Sequence, residues 1–167
     1  PSATLPAGRR RFDLEKVRMI ARYQFSTGAS GMIFPDDCFV RTSRKTDRIR
    51  TVSRGEDLIA TLRASDGLLT FTSAGAKLLY TALTGGMKSR VKVSDESSAF
   101  NIQGKNVFFK FILDSDLGII PGNDVLVVNT SGNLIAVGKA TVSGREMRQL
   151  RRGVAVDVRS GLGQISD

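Results

Sequence analysis

The sequence predicts an α+β protein of two small domains: a first that mixes helices with short strands, and a second that closes as a small β-barrel. Three observations carry this. Helical periodicity is confined to a few short stretches, strand-like runs bounded by Gly, Pro, Asn and Asp fill most of the rest, and Gly85-Gly86 separates two halves that each hold both kinds of element. The length of 167 residues permits one domain or two small ones, at roughly 100 to 150 residues per domain. With 41% hydrophobic and 25% charged residues the chain is composed to fold around a core.

Residues 1–8 are small, uncharged and Pro-containing, and read as a flexible lead-in to a first domain over 9–85. A helix is predicted from about Phe12 to Phe25, because Leu14, Val17, Ala21 and Phe25 fall on one stripe while Arg11, Arg18 and Arg22 share another. The segment STGASG (26–31) breaks it and lacks the Gly-Lys-Ser/Thr ending of a phosphate-binding loop. Strands are predicted at Cys38–Thr42, Ile49–Ser53, Asp57–Arg63 and Leu68–Thr72, the last two joined through Asp66-Gly67. A second helix is predicted from about Ala74 to Leu83, capped by Ser73 and stopped by the glycine pair.

The second domain is expected over 89–163. It opens with a strand at Arg90–Val93. Ser94-Asp95-Glu96 then supplies a cap and two acids that suit the first turn of a helix running to about Gln103. Strands follow at Val107–Leu113, Val125–Asn129 and Leu134–Val142, with a type II turn at Pro121-Gly122 and another turn at Ser131-Gly132-Asn133. Ser143-Gly144-Arg145-Glu146 has the spacing of a reciprocal capping box, and Val154–Arg159 alternates as a final strand. Five short strands and two brief helices in about 75 residues suit a barrel, which removes unpaired strand edges.

Composition narrows the chemistry. The chain has no His and a single Cys, so Ser-His-Asp and Cys-His catalysis and imidazole-based zinc sites are excluded, and Cys38 can form no internal disulfide. There is no secretory signal pattern and no apolar run near 18 residues, so a cytoplasmic location is expected. Twenty-five Lys and Arg against 16 Asp and Glu leave a net charge of +9, which attracts a polyanion. Nucleic acid is the leading partner and an anionic membrane surface the second.

The stretches GKNVFFKFI, DSDLGIIPGNDVLVVN, LIAVGKATVSGREM and GVAVDVR resemble the PUA domain, an RNA-binding module named for pseudouridine synthases and archaeosine transglycosylases. RRRFDLEKVRMIARYQF, GMIFPDD, RIRTVS and GEDLIATLRASDGLLTF resemble the pre-PUA domain of archaeal archaeosine tRNA-guanine transglycosylases and related stand-alone proteins. The resemblance covers about residues 9–163. It implies a small α/β pre-PUA domain, then a six-stranded pseudobarrel with two short helices, and as ligand a tRNA acceptor stem and 3′ end. Those enzymes work on a large α/β barrel with aspartate chemistry and a Cys/His zinc site, which this chain has neither the length nor the residues to build.

Several residues are candidates for RNA contact. Arg145, Arg148 and Arg152 are spaced to share one face of a helix that persists to Arg152 and stops at Gly153, and Arg151 adds a fourth cation with Glu146 the only acid nearby. Such a run also suits a plain solvated face. Gly104, Lys105 and Asn106 join a helix to a strand, where the resemblance places RNA; an ordinary Gly-ended helix would carry the same residues. In Val107–Ile112, period 2 turns Val107, Phe109 and Phe111 to the core and Phe108, Lys110 and Ile112 outward, making Lys110 a candidate and Phe108 more plausibly packing.

Two basic groups in the first domain offer a secondary RNA surface, in which Arg18, Arg22, Arg41, Arg44 and Lys45 are singled out. No aromatic is read as interleaved with these charges, so solubility explains them equally well. Asp36-Asp37 and Asp114-Ser115-Asp116 are turn or capping acids before they are cation sites, and Cys38 reads as a small core residue. No catalytic residue, metal or cofactor is expected. The functional expectation is a non-catalytic protein that binds tRNA near its acceptor end. A tRNA-binding subunit of a separate archaeosine transglycosylase or archaeosine-forming enzyme is the alternative, and a ribosome-associated or protein-binding adaptor the second.

Overall fold

The computed structural model describes residues 7–163; residues 1–6 of the expected lead-in lie outside them. The chain divides into two compact units between Ala82 and Leu83. Among the described residues no helix is long and apolar enough to cross a membrane.

In the first unit, helix α1 (Ala7–Phe25) starts five residues before the expected Phe12, so Ala7 and Gly8 are already helical. Arg9 belongs to this added turn and pairs with Asp47 at 2.8 Å. The stripe of Leu14, Val17, Ala21 and Phe25 is buried as its spacing predicts. Ser26, at φ 49°, turns the chain out of the helix. The expected break contains a further short helix, α2 (Ser30–Ile33). Strands β1 (Cys38–Thr42), β2 (Ile49–Arg54), β3 (Asp57–Leu62) and β4 (Leu69–Phe71) form an antiparallel sheet in sequence order. Their register aligns Val40, Val52, Ala60 and Phe71 in one buried row across all four strands.

Helix α3 (Ser73–Ala82) is capped by Thr72 rather than Ser73: the Thr72 hydroxyl accepts from the Gly75 N–H at 3.2 Å. Gly75 is fixed by packing, since a Cβ there would sit 2.0 Å from the carbonyl oxygen of Ile59 on β3.

The second unit comprises β5 (Arg90–Val93), α4 (Asp95–Asn101), β6 (Val107–Phe108), β7 (Ile112–Ser115), β8 (Asp124–Val128), β9 (Leu134–Ala140), α5 (Gly144–Gln149) and β10 (Val154–Gly161). Its six strands form a nearly closed barrel-like sheet in the order β6-β10-β9-β8-β5-β7. Val91, Val107, Phe109, Val125, Val127, Met147 and Val156 fill the core.

The single strand expected over Val107–Leu113 is interrupted. Phe109–Phe111 form a 3-10 turn between β6 and β7, and these two strands are the opposite edges of the sheet. The turn is tied at both ends: the Phe109 N–H donates to the Gly153 carbonyl at 3.1 Å, and the Ser94 N–H donates to the Phe111 carbonyl at 2.9 Å. A half-buried ion pair spans the sheet, with Arg159 on β10 donating to both carboxylate oxygens of the buried Asp124 on β8, at 3.2 and 2.6 Å.

Candidate nucleic-acid interface

The eight residues expected at an RNA surface of the second unit fall into three settings. Lys110 lies exposed in the 3-10 turn, its ammonium 4.7 Å from the centre of the Phe111 ring. Arg151 and Arg152 lie exposed in the loop between α5 and β10, and the Gly153–Phe109 hydrogen bond ties that loop to the turn carrying Lys110. These three cations therefore share one end of β6. Phe108, exposed on this edge strand and paired with Val154, lies beside them.

The loop of Gly104, Lys105 and Asn106 occupies the other end of β6. It is built to close tolerances. Asn101 is buried on α4, where its amide donates to the carbonyls of Lys105 and Asn106, each at 3.1 Å, and accepts from the Ser97 hydroxyl at 2.6 Å. The Asn106 side chain accepts from the Val158 N–H on β10 at 2.9 Å, so it fixes the loop rather than facing a ligand. Gly104 sits at φ 94°, a conformation that suits glycine. On the facing strand a Cβ at Gly161 would lie 2.4 Å from the Gly104 nitrogen. Of the three, Lys105 alone presents an exposed cation, and its N–H donates to the carbonyl of Phe100 at 3.2 Å.

Phe100 is itself exposed. Helix α4 turns the polar Ser97 and Asn101 inward and Phe100 outward, an inverted pattern visible in DESSAFN but not singled out by the sequence reading.

Helix α5 ends at Gln149, because Leu150 has extended backbone at ψ 147°. The expected continuation to Arg152 does not occur, and Arg152 shares no helix face with Arg145 and Arg148. The capping box is present as expected. Arg148 is bound within the fold: its guanidinium donates to the Asp114 carboxylate and to the backbone oxygen and hydroxyl of Ser115. Arg145 is exposed and, like Lys105, Arg151 and Arg152, forms no ion pair among the described residues. The other acid of this pair, Asp116, accepts from the N–H groups of Ser89 at 2.7 Å and Gly118 at 2.9 Å, as a turn acid.

The secondary candidates divide in the same way. Arg18 donates to the Phe34 carbonyl, Glu15 and Asp36, and Arg22 donates to the Ser30 hydroxyl at 2.9 Å. Both hold α1 against the segment that follows it. The hydrogen bond and charge of Arg18 hold the Asp36 carboxyl below its usual range. Asp37 pairs with Arg54 at 2.9 Å. Burial, then the neighbouring Asp37, pushes the half-buried Cys38 thiol up. Arg41, Arg44 and Lys45 are exposed and form no ion pair among the described residues.

Comparison with known families assigns these units. Residues 15–85 match the patch-forming domain C2 of tRNA-guanine transglycosylase, and residues 89–162 match the PUA domain. The chain is a C2–PUA tandem. It is 51% identical over 156 residues to a tRNA-guanine(15) transglycosylase of Thermoplasma volcanium, and 45% identical over 149 residues to one of Methanothermobacter thermautotrophicus. These alignments cover 93% and 89% of this chain but 24% and 23% of the relatives, so the tandem spans about a quarter of their length.

The fold recurs in a hypothetical protein of Pyrococcus horikoshii, with TM-score 0.67, 22% identity and 90% of each chain covered. A conserved PUA domain protein of Thermoplasma acidophilum also shares it, with TM-score 0.61, 19% identity, and 93% and 92% of the two chains covered. Lys105, Lys110, Arg151 and Arg152 sit on the loops of the PUA barrel and on the turn between its edges, and Arg145 on α5.

Proposed function

We propose that the C2–PUA tandem, with its two domains over 9–85 and 89–163, is an RNA-binding module that does no chemistry of its own and grips tRNA near the acceptor stem and 3′ end. The carrying observation is the grouping of Lys110, Arg151 and Arg152, all exposed, at one end of β6 of a PUA domain. Lys105 and the exposed Phe100 form a second contact group at the other end of the strand. Cations there meet phosphate, and the two aromatic side chains Phe100 and Phe108 offer faces on which an unpaired 3′ base stacks.

Arg145 extends this track, whereas Arg148 and Asn106 support it from within. The missing His and a length too small for a separate catalytic barrel support the reading that residues 1–167 catalyse nothing by themselves.

The test is the affinity for unmodified tRNA as a function of salt. Four to six phosphate contacts give a slope of log K against log salt of roughly −3 to −5. A slope near zero would remove the electrostatic basis of the reading.

A second reading, that the tandem serves a transglycosylase as its tRNA-binding part, is favoured by the 51% identity to an enzyme four times its length. Copurification from the source cell decides between them, since a subunit emerges with a catalytic chain and a free binder with tRNA alone.

A further inference from the structure

Helix α1 carries a third stripe besides its buried and arginine-bearing faces. Phe12, Lys16, Met19 and Tyr23 are spaced i, i+4, i+7 and i+11 and therefore lie on one side. All are exposed, with Phe12 at 61%, Met19 at 63% and Tyr23 at 83% of full exposure. The Lys16 ammonium lies 4.6 Å from the centre of the Phe12 ring. Aromatic and basic side chains do interleave on this helix, contrary to the reading of the linear sequence.

Beside this stripe runs a groove of about 970 Å³, bounded by α1, the β1–β2 turn and the β3–β4 turn. Its apolar surface comes from Met19, Ile20, Ile49 and Leu62, and its cations are Lys16, Arg48, Arg50 and Arg63. Asp47 also lines it, but that carboxylate is bound by Arg9, and Arg63 is bound by Asp66 at 2.9 Å. Lys16, Arg48 and Arg50 form no ion pair among the described residues.

An apolar surface bordered by three uncompensated cations suits a ligand that is flat and apolar on one side and anionic on the other. A nucleotide has that character: a base that packs on aliphatic or aromatic surface and a phosphate that meets guanidinium. An uncharged or basic peptide would leave the three cations unmatched, and an acidic peptide would match them without supplying a flat apolar face beside each anionic group. A continuous duplex has its bases stacked inside and cannot use the apolar surface.

We propose that this groove of the C2 domain holds one unpaired nucleotide of a bound RNA. Its base lies against Met19 and Ile49, its phosphate between Lys16 and the arginines Arg48 and Arg50, and the next base on Tyr23. The proposal rests on the RNA-binding reading above and adds a second site, on the other domain, that distinguishes unpaired from paired RNA.

The experiment uses residues 1–167 and two fluorescent RNA hairpins of equal length. Both share the same loop; one has a fully paired stem, and the other carries a single bulged 2-aminopurine in its stem. The bulged hairpin is expected to bind at least about fivefold more tightly, the lower end of what one stacked base contributes, with a change in 2-aminopurine emission on binding. Met19→Ala with Tyr23→Ala, both at exposed positions, should abolish the preference and leave the paired hairpin's affinity unchanged. Arg50→Gln should weaken the bulged hairpin more than the paired one.

Equal affinity of the wild-type chain for the two hairpins, or a preference that survives the Met19/Tyr23 variant, overturns the groove proposal while leaving RNA binding in place. Failure to bind either hairpin or tRNA overturns both.

Discussion

Arg148 on α5 donates to the carboxylate of Asp114 on β7, and the same guanidinium reaches the backbone oxygen of Ser115. One of the three arginines whose spacing suggested a phosphate contact thus fastens a helix to the barrel, although it is 34 residues away from its partner in sequence. The exposed arginines that follow the helix are the ones left for a ligand.

Arg148→Gln should therefore lower the stability of the PUA domain by about 1 kcal/mol, the scale of a charge-assisted hydrogen bond that is partly screened by water. Arg151→Gln and Arg152→Gln should leave the melting temperature unchanged and weaken tRNA. Comparing denaturant midpoints with tRNA affinities for the three variants checks this, and an unchanged midpoint for Arg148→Gln would return that residue to the RNA surface.

Charge reversal at equal net charge locates the principal site. Arg151→Glu with Arg152→Glu should weaken tRNA binding by at least tenfold, about 1.4 kcal/mol, and by more than Arg44→Glu with Lys45→Glu. Equal losses would mean that only the overall field matters.

Removing Arg159 takes an ion-pair partner from a carboxylate that is almost wholly inaccessible to water, since the Asp124 side chain is only 1% exposed. Arg159→Met should cost about 1 to 3 kcal/mol, less than the loss from a fully buried pair because the Arg159 side chain is itself 33% exposed. Adding Asp124→Asn should recover part of that loss. Chemical denaturation of the single and double variants reads out both.

Gly144→Ala tests how closely α5 seats on the loop after β7, because the added Cβ would lie 1.8 Å from the Asp116 carbonyl oxygen. A destabilisation of about 1 to 3 kcal/mol, typical of overpacking, is expected. A thermal midpoint equal to wild type would show that the helix can shift without loss.

The Asp36–Arg18 pair gives the C2 domain a pH dependence of known sign. Arg18 lowers the Asp36 pKa, so the stabilisation is fully present above the ordinary aspartate value of about 3.9 and is lost as pH falls through the lowered one. Asp36→Asn should melt below wild type at neutral pH, and the gap should close in strong acid. A gap of constant size across that range would assign the effect to something other than this carboxylate.

Much of the architecture was legible because the governing signals are local. β1 and β5 fall at their predicted bounds, and the other strands of the C2 sheet lie within about a residue of theirs, since strand-like runs bounded by polar or Gly-containing turns suffice to mark them. The split of the Val107–Leu113 strand was not legible. Val107 and Phe109 are buried in either arrangement, and what turns the chain is a hydrogen bond to Gly153, more than 40 residues later. For the site, charge alone could not separate Arg148 from Arg152 or Arg18 from Arg44, because the separating partners are tertiary. The Phe12-Lys16-Met19-Tyr23 stripe was within reach, since its spacing is written in the sequence.

The position of β10 has a kinetic consequence. It is the last strand among the described residues, yet it lies between β6 and β9 in the sheet. Until residues 154–161 are available, those two strands keep unsatisfied edges, and barrel closure must wait for pairings such as Val107 with Val156, 49 positions apart. The PUA barrel is therefore expected to close only after β10 has been synthesised. Substitutions that weaken β10 should first show themselves as aggregation of newly made chains.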